Sequence, residues 1–180
     1  MNGYFDDIVY LPRTVNTISP WSDRLILESP YYLENKDEFG RLFDKFSEQV
    51  LNSSIANIII SESSNKKGFG VFAASDIPPG TLIGEYTGYL QTGCGDPYSW
   101  DYPEIPGYPE LELSALKGGN ETRFINHSFQ PNCLAEHFPL EGIYVIIILS
   151  INTIKAGSEL FLDYGDDYWL AGDREIIIEK

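Results

Sequence analysis

The sequence is poor in cysteine. Its 180 residues include two, Cys94 and Cys133. Two cysteines exclude a disulfide scaffold and a cysteine-rich zinc cluster, because each of these needs several cysteines. The pair can form one bridge or remain as two buried free thiols, and the sequence leaves both interpretations open. The scarcity of cysteine favours a reducing, intracellular compartment, either the cytoplasm or the nucleus.

Long hydrophobic runs are also missing. The longest apolar run, residues 145–149, has the length of a strand and falls far short of the roughly 20 residues that span a membrane. Residues 1–7 lack the basic and then apolar segments of a secretory signal peptide, although an atypical export signal would not show this pattern. We therefore expect no membrane partner.

Basic residues are few. The chain has 12 Lys and Arg against 27 Asp and Glu, which gives a net charge of −15. Direct binding of nucleic acid is not expected, because such sites need clustered Lys and Arg. The acidic balance has two interpretations: it keeps the protein in solution, or it attracts a basic partner.

Apolar residues are abundant, at 43% of the chain with 14% aromatic, and predict a folded domain with a substantial core. We divide the chain into a lead segment (1–55), a main domain (56–170) and a C-terminal tail (171–180). Residues 33–50 show helical spacing, with an apolar face that we expect to pack on the main domain. That face consists of Phe39, Leu42, Phe43, Phe46 and Val50. Ahead of the helix, Pro12, Pro20 and Pro30 are expected to interrupt regular structure.

From residue 57 onward, short apolar segments alternate with turns. Residues 58–60, 71–73 and 81–86 are predicted strands, and the nearly continuous apolar run 143–149 predicts a strand buried on both faces. Residues 93–109 are irregular and rich in Gly, Pro and Tyr. The pattern predicts a mostly-β domain of several small sheets with few short helices.

Four separated segments carry a resemblance to one family. Residues 66–73 read Lys-Lys-Gly-Phe-Gly-Val-Phe-Ala, and residues 84–88 read Gly-Glu-Tyr-Thr-Gly. Residues 119–132 read Gly-Asn-Glu-Thr-Arg-Phe-Ile-Asn-His-Ser-Phe-Gln-Pro-Asn, and residues 157–165 read Gly-Ser-Glu-Leu-Phe-Leu-Asp-Tyr-Gly. In order and spacing they resemble the motifs of the SET-domain protein lysine methyltransferases. The third segment is far more specific than a glycine-containing turn.

The resemblance implies a β-clip type SET fold, in which the stretch around Asn126 meets the C-terminal segment in a knot-like crossing. It also implies transfer of a methyl group from S-adenosyl-L-methionine to a lysine side chain in protein. Such a substitution depends on aligning the two reactants at close range. Tyr164 is the first candidate catalytic residue, and Tyr86 is the second. Either tyrosine could instead be an ordinary tyrosine of a β-sheet.

The same resemblance implies cofactor contacts in three segments. Glycines 68 and 70 would let the backbone approach the cofactor, although a plain hairpin turn would also explain them. Arg123 lies in the third motif, where its side chain could instead pair with Glu85 or Glu159 inside the fold. Trp169 could stack on the adenine, as could Tyr168, or it could be a core residue. The full implied set is Lys67, Gly68, Phe69, Gly70, Arg123, Asn126, His127, Tyr164 and Trp169.

Substrate contacts are expected from Tyr86, Leu162, Tyr98 and Trp100. Leu162 stands two residues before Tyr164, where the family commonly has Phe or Tyr, and its smaller side chain favours addition of two or three methyl groups. Residues 93–109 mix acidic and aromatic side chains, which suits a basic, extended peptide such as a histone tail. A solvated acidic loop is the alternative interpretation.

No metal is expected. A site built from His127 with His137, Cys94 or Cys133 lacks zinc-like spacing. Phe129 stands where many relatives place a zinc-binding cysteine, and no cysteine-rich module follows Tyr164, so other residues must close the pockets.

Two alternative functions remain open. The chain could be an inactive SET-like module that binds a basic protein, or an unrelated β-rich structural protein. Monomer and homodimer are equally compatible with the sequence. Compact SET proteins also occur in viruses and intracellular bacteria, so an exported effector that acts on host chromatin is a further alternative.

Overall fold

Short apolar segments separated by turns form several small sheets in the computed structural model, which describes residues 7–63, 68–93 and 95–170. The strands are β1 (Val9–Tyr10), β2 (Val15–Asn16), β3 (Ile58–Glu62), β4 (Phe69–Ala73), β5 (Leu82–Tyr86), β6 (Tyr89–Thr92), β7 (Ser99–Asp101), β8 (Leu111–Ser114), β9 (Gly118–Gly119), β10 (Asn126–His127), β11 (Cys133–Leu140), β12 (Ile143–Ser150) and β13 (Phe161–Leu162). The helices are α1 (Arg24–Leu27), α2 (Pro30–Leu51) and α3 (Asp166–Leu170), with a 3-10 turn at Glu121–Phe124. The predicted mostly-β fold is confirmed.

The centre of the core is β12, which lies between β11 and β5 in an antiparallel sheet. Every residue of β12 is buried, as the continuous apolar run predicted. Beside it stand a four-stranded sheet in the order β2-β6-β8-β7 and three two-stranded sheets, β1-β9, β10-β13 and β3-β4. Cys133, at the start of β11, is a buried free thiol, and Cys94 lies outside the described residues.

Helix α2 begins three residues before the predicted start. Ser29 caps it by accepting a hydrogen bond on its side chain from the Tyr32 backbone N–H (3.1 Å). Pro30 occupies the first helical position, where its fixed φ suits the helix and its missing N–H costs nothing. The expectation that Pro30 interrupts regular structure is therefore wrong.

One face of α2 packs on the main sheet through β11 and β12. The ring of Phe39 lies 5.6 Å from that of Tyr144. Phe43 departs from the predicted face, because it is 45% exposed and meets Phe138 only at the edge of its ring. Helical spacing puts Phe43 within the apolar face, about 40° from Phe39, so its exposure depends on the neighbours around that turn and not on the period of the helix. The buried positions of α2 are Phe39, Leu42, Phe46 and Val50.

The lead segment also supplies strands to the main domain. β1 pairs in parallel with β9, and β2 pairs in parallel with β6. These pairings hold the backbone between them against β5. None of the helices in the described part of the chain is long and apolar enough to cross a membrane.

The predicted contact between the third and fourth motifs is present. β10 and β13 pair in parallel, with Asn126 opposite Phe161 and His127 opposite Leu162. The Ser128 backbone N–H continues the ladder by donating to the carbonyl of Leu162 (2.9 Å). Two segments more than 30 residues apart in sequence thus meet in one place.

A buried carboxylate joins the lead segment to β5. Glu85 is 3% exposed, and it accepts hydrogen bonds from Arg13 Nε (2.7 Å) and the Thr14 backbone N–H (3.1 Å). Burial raises the pKa of the Glu85 carboxyl, while its bonds to Thr14 and Arg13 act in the opposite direction. A buried charge of this kind depends on its partners.

Substitution Arg13→Ala should destabilise the fold by about 1–3 kcal/mol at pH 7.5, because it leaves the Glu85 carboxylate buried without its cation. Loss of Arg13 raises the pKa of Glu85 further, so the folded state takes up a proton as the pH falls. The destabilisation should therefore be smaller at pH 5 than at pH 7.5. Urea unfolding at both pH values measures the difference from the unsubstituted protein.

Arg24→Ala is the matched control, because it removes an arginine from an ion pair with Glu28 in which both side chains are exposed. It should cost about 0.5 kcal/mol or less. Equal losses for the two variants, or a loss at Arg13 that grows as the pH falls, would contradict the account of Glu85.

Candidate active site

Tyr164 is held against the third motif by two hydrogen bonds. Its hydroxyl donates to the carbonyl of Ile125 (2.7 Å), and its backbone N–H donates to Nδ1 of His127 (3.1 Å). Burial raises the pKa of the Tyr164 phenol, so the side chain is neutral at physiological pH. In this arrangement Tyr164 offers a fixed polar oxygen rather than a ready base.

Tyr86 lies beside Tyr164 at the end of β5. It is buried, and its hydroxyl donates to the carbonyl of Tyr98 (2.8 Å). Burial raises the pKa of Tyr86, and the neighbouring Tyr164 adds to the rise. The ring of Trp100 meets that of Tyr86 edge-on at 5.6 Å. The structure thus brings four predicted site residues together: Tyr164 and Tyr86, predicted to be catalytic, and Tyr98 and Trp100, predicted to contact the substrate.

Arg123 is a structural residue in this arrangement. Its Nε donates to the carbonyl of Ala115 (3.0 Å), and its guanidinium lies 4.1 Å from the centre of the Tyr98 ring. The expectation that it pairs with Glu85 or Glu159 is wrong, because Arg13 occupies Glu85 and no ion pair joins Arg123 to Glu159. Stacking on Tyr98 supports the wall behind Tyr86.

Asn126 connects the first, third and fourth motifs. Its Nδ2 donates to the backbone carbonyl of Phe69 (3.1 Å) and to the Glu159 carboxylate (3.0 Å). Glu159 is buried and also accepts from the hydroxyl of Ser63 (2.7 Å). The sequence motifs did not predict that Glu159 and Ser63 belong to the site. Only the position of Glu159 inside the fourth motif could have pointed to it.

Different constraints explain why glycine occupies each of the two positions of the first motif. Gly68 has φ +96°, a conformation that side chains rarely adopt, and open space surrounds the position of a Cβ. At Gly70 a Cβ would collide with the Glu159 carboxylate and come within 3.1 Å of Asn126 Nδ2. Gly70 is therefore required by close packing inside the protein.

His127 lies among aromatic side chains that surround the end of β10. Its ring centre lies 4.6 Å from Phe129, 4.9 Å from Trp169 and 5.4 Å from Tyr164. The ring centres of Tyr168 and Tyr164 are 4.7 Å apart. Helix α3 thus packs against His127 and Tyr164, and Nε1 of Trp169 is buried with no hydrogen-bond partner in the described chain.

The remaining predicted site residues, Phe69, Leu162 and Lys67, differ in their surroundings. Phe69 is 46% exposed, with its ring edge toward Phe124. Leu162 is buried in β13. Lys67 lies outside the described residues, and its cofactor contact remains a prediction.

Part of the insert 93–109 belongs to the core. Tyr102 is buried, and its hydroxyl accepts a hydrogen bond from the Tyr144 backbone N–H (2.5 Å). Asp96 accepts from the Tyr98 backbone N–H and the Ser114 hydroxyl. Tyr102 and Asp96 are therefore occupied inside the fold, whereas the mixed acidic and aromatic character expected to suit a basic peptide remains a prediction for the rest of the insert. Asp101 and Glu104 are exposed.

Metal-ligating side chains are not clustered in the described part of the chain. Within 7–63, 68–93 and 95–170, no group of three or more His, Cys, Asp or Glu side chains could hold a metal ion. His137 lies under α2, where the hydroxyl of Tyr31 is 2.6 Å from its Nε2.

These features define a β-rich protein with a tyrosine site at the crossing of two distant segments. The SET domain family profile matches residues 68–165, which is more than half of the chain. The chain therefore belongs to the SET domain family of lysine methyltransferases.

Sequence relatives carry the same domain within much longer proteins. Histone-lysine N-methyltransferase set-2 of Caenorhabditis elegans is 35% identical over 113 residues, which cover 54% of this chain and 7% of that protein. Histone-lysine N-methyltransferase MEDEA of Arabidopsis thaliana is 31% identical over 128 residues, which cover 64% of this chain and 18% of that protein. The similarity therefore concerns a small part of each relative.

Solved structures agree with the sequence comparison. The crystal structure of the Chaetomium thermophilum polycomb repressive complex 2 matches with a TM-score of 0.58 and 29% identity, over 64% of this chain and 16% of that one. The complex in an autoinhibited conformation bound to S-adenosylmethionine matches with a TM-score of 0.55 and 27% identity, again over 64% and 16%.

Substitution Gly70→Ala should destabilise the protein by about 1–3 kcal/mol, because the new methyl group overlaps the Glu159 carboxylate. The matched control is Gly40→Ala in α2, where no atom lies within 4 Å of the position of a Cβ. Gly40→Ala should stabilise by about 0.5–1 kcal/mol through helix propensity. Urea unfolding measures both changes, and a neutral effect at Gly70 would contradict the packing described here.

Proposed function

We propose that this protein transfers a methyl group from S-adenosyl-L-methionine to the side-chain nitrogen of a lysine in a protein substrate. The supporting observation is the position of Tyr164 at the junction of the third and fourth motifs. Its hydroxyl donates to the carbonyl of Ile125, its backbone N–H donates to His127, and its side chain interacts with that of Tyr86. Membership of the SET family supports the same reaction.

The residues at the junction fit such a cofactor. Asn126 Oδ1 has no hydrogen-bond partner in the described chain, so it can accept a hydrogen bond from a ligand. Nε1 of Trp169 can donate one, and the exposed ring of Phe69 offers an apolar surface. When bound, the cofactor supplies an electrophilic methyl group on a sulfonium.

The residues around Tyr86 fit a lysine side chain. The rings of Tyr86 and Trp100 can enclose its alkyl stem, and the buried setting disfavours an ammonium. A neutral amine is needed for attack, although free lysine has a pKa near 10.4. The Tyr164 oxygen lies beside this wall and can orient the amine or a polarised methyl group, so positioning accounts for most of the rate.

Basic tails, such as those of histones, are the substrate class that we propose. Asp101 and Glu104 are exposed and follow Trp100 in the insert, and Asp163 and Asp166 are exposed and flank Tyr164 in sequence. Their negative charge is complementary to the positive charge of a Lys-rich peptide, and the net charge of −15 attracts such a peptide as well. The relatives named above are histone-lysine methyltransferases, which supports a chromatin substrate and a nuclear site of action.

Substitution Tyr164→Phe should reduce methyl transfer to core histones by about a hundredfold, because it removes a preorganised polar oxygen at the reacting centre. Incubation with labelled cofactor measures the rate. Tyr10→Phe is the control, since its hydroxyl donates to Glu121 at an exposed site. Normal cofactor binding without any transfer by the unsubstituted protein would favour an inactive module that recruits a basic partner.

Leu162 should set the number of methyl groups. We expect the unsubstituted protein to add two or three, and Leu162→Phe to shift the product toward one, because a larger ring fills space beside the amine. Mass spectrometry of the product counts the methyl groups. Phe161→Leu, on the other face of β13, should leave the count unchanged. A strictly monomethylated product from the unsubstituted protein would contradict this assignment.

A further inference from the structure

A buried carboxylate holds one side-chain amide of the site in a single orientation. The Nδ2 group of Asn126 has two hydrogens, and both have acceptors: the carbonyl of Phe69 at 3.1 Å and the Glu159 carboxylate at 3.0 Å. Neither acceptor can donate, so rotating the amide by 180° would place oxygen against oxygen twice. The carbonyl oxygen Oδ1 of Asn126 must therefore point away from both.

The same carboxylate favours a positively charged donor at Oδ1. Glu159 is buried, and its Oε1 also accepts from Ser63, so the carboxylate has a fixed position near Asn126. Its charge polarises the amide through the hydrogen bond and increases the electron density on Oδ1. A charge-assisted bond to a cationic donor is stronger than a bond to a neutral one.

We propose that Glu159 is a positioning residue that fixes the amide of Asn126 as an acceptor and thereby selects the ammonium group of the cofactor's amino-acid part. This inference rests on the proposed function, since it takes the cofactor to bind at Asn126. Among the hydrogen-bond donors of S-adenosyl-L-methionine, only this ammonium is charged. Gly70 belongs to the same device, because only a glycine leaves room for the Glu159 carboxylate beside Asn126.

The experiment compares two ligands that differ in the amino-acid part, which carries this ammonium together with a carboxylate. S-adenosylhomocysteine has the amino-acid part, whereas 5′-methylthioadenosine keeps the adenosine and the thioether without it. Calorimetry measures the affinity of each ligand for the full chain. Glu159→Gln, which keeps the size of the side chain but not its charge, should weaken S-adenosylhomocysteine about tenfold and methylthioadenosine less than twofold.

A second variant keeps the test decisive if Glu159→Gln does not fold. Asn126→Ala removes the acceptor itself and should show the same selective loss. An equal loss for both ligands, or no loss for either, would overturn the inference while leaving the proposed function intact. Binding of neither ligand by the unsubstituted protein would instead overturn the proposed function, and the role of Glu159 with it.

Discussion

The site depends on one contact, the parallel pairing of β10 with β13. These two-residue strands come from segments more than 30 residues apart, and their hydrogen bonds continue through Ser128 and Tyr164. Without that pairing, the Tyr164 hydroxyl would not reach Ile125, and His127 would not face α3. The pairing is short, so its neighbours must stabilise it. Hydrogen bonds of Asn126, Asn132 and Glu159 beside the two strands do so.

Two buried glutamates connect separate parts of the chain around the site. Glu159 links the fourth motif to Asn126 and Ser63, while Glu85 links β5 to the lead segment through Arg13. A buried carboxylate is costly without partners, so each also enforces a particular arrangement of donors. In an acidic protein these two charges serve the fold, whereas the exposed carboxylates remain available to a basic partner.

Patterns within the sequence predicted those features that depend on local periodicity or on a motif. The apolar run of β12 and the helix α2 follow from periodicity, and the meeting of Asn126 with the fourth motif followed from the resemblance. The roles of Phe43, Tyr102 and Arg123 depend on which neighbours surround each side chain, and a sequence does not show this. Pro30 was misjudged because proline breaks a helix in its interior but suits its first turn.

We propose above all that the crossing at Tyr164 forms the reaction centre. A crystal structure of the protein with S-adenosylhomocysteine and a lysine peptide tests it most directly. We expect the thioether of the cofactor product and the lysine nitrogen to face each other across a short gap beside the Tyr164 hydroxyl. The alkyl stem of the lysine should lie against Tyr86, and the amino-acid part of the cofactor product should lie at Asn126. A ligand bound away from Asn126 and His127, or a lysine that does not approach Tyr164, would contradict it.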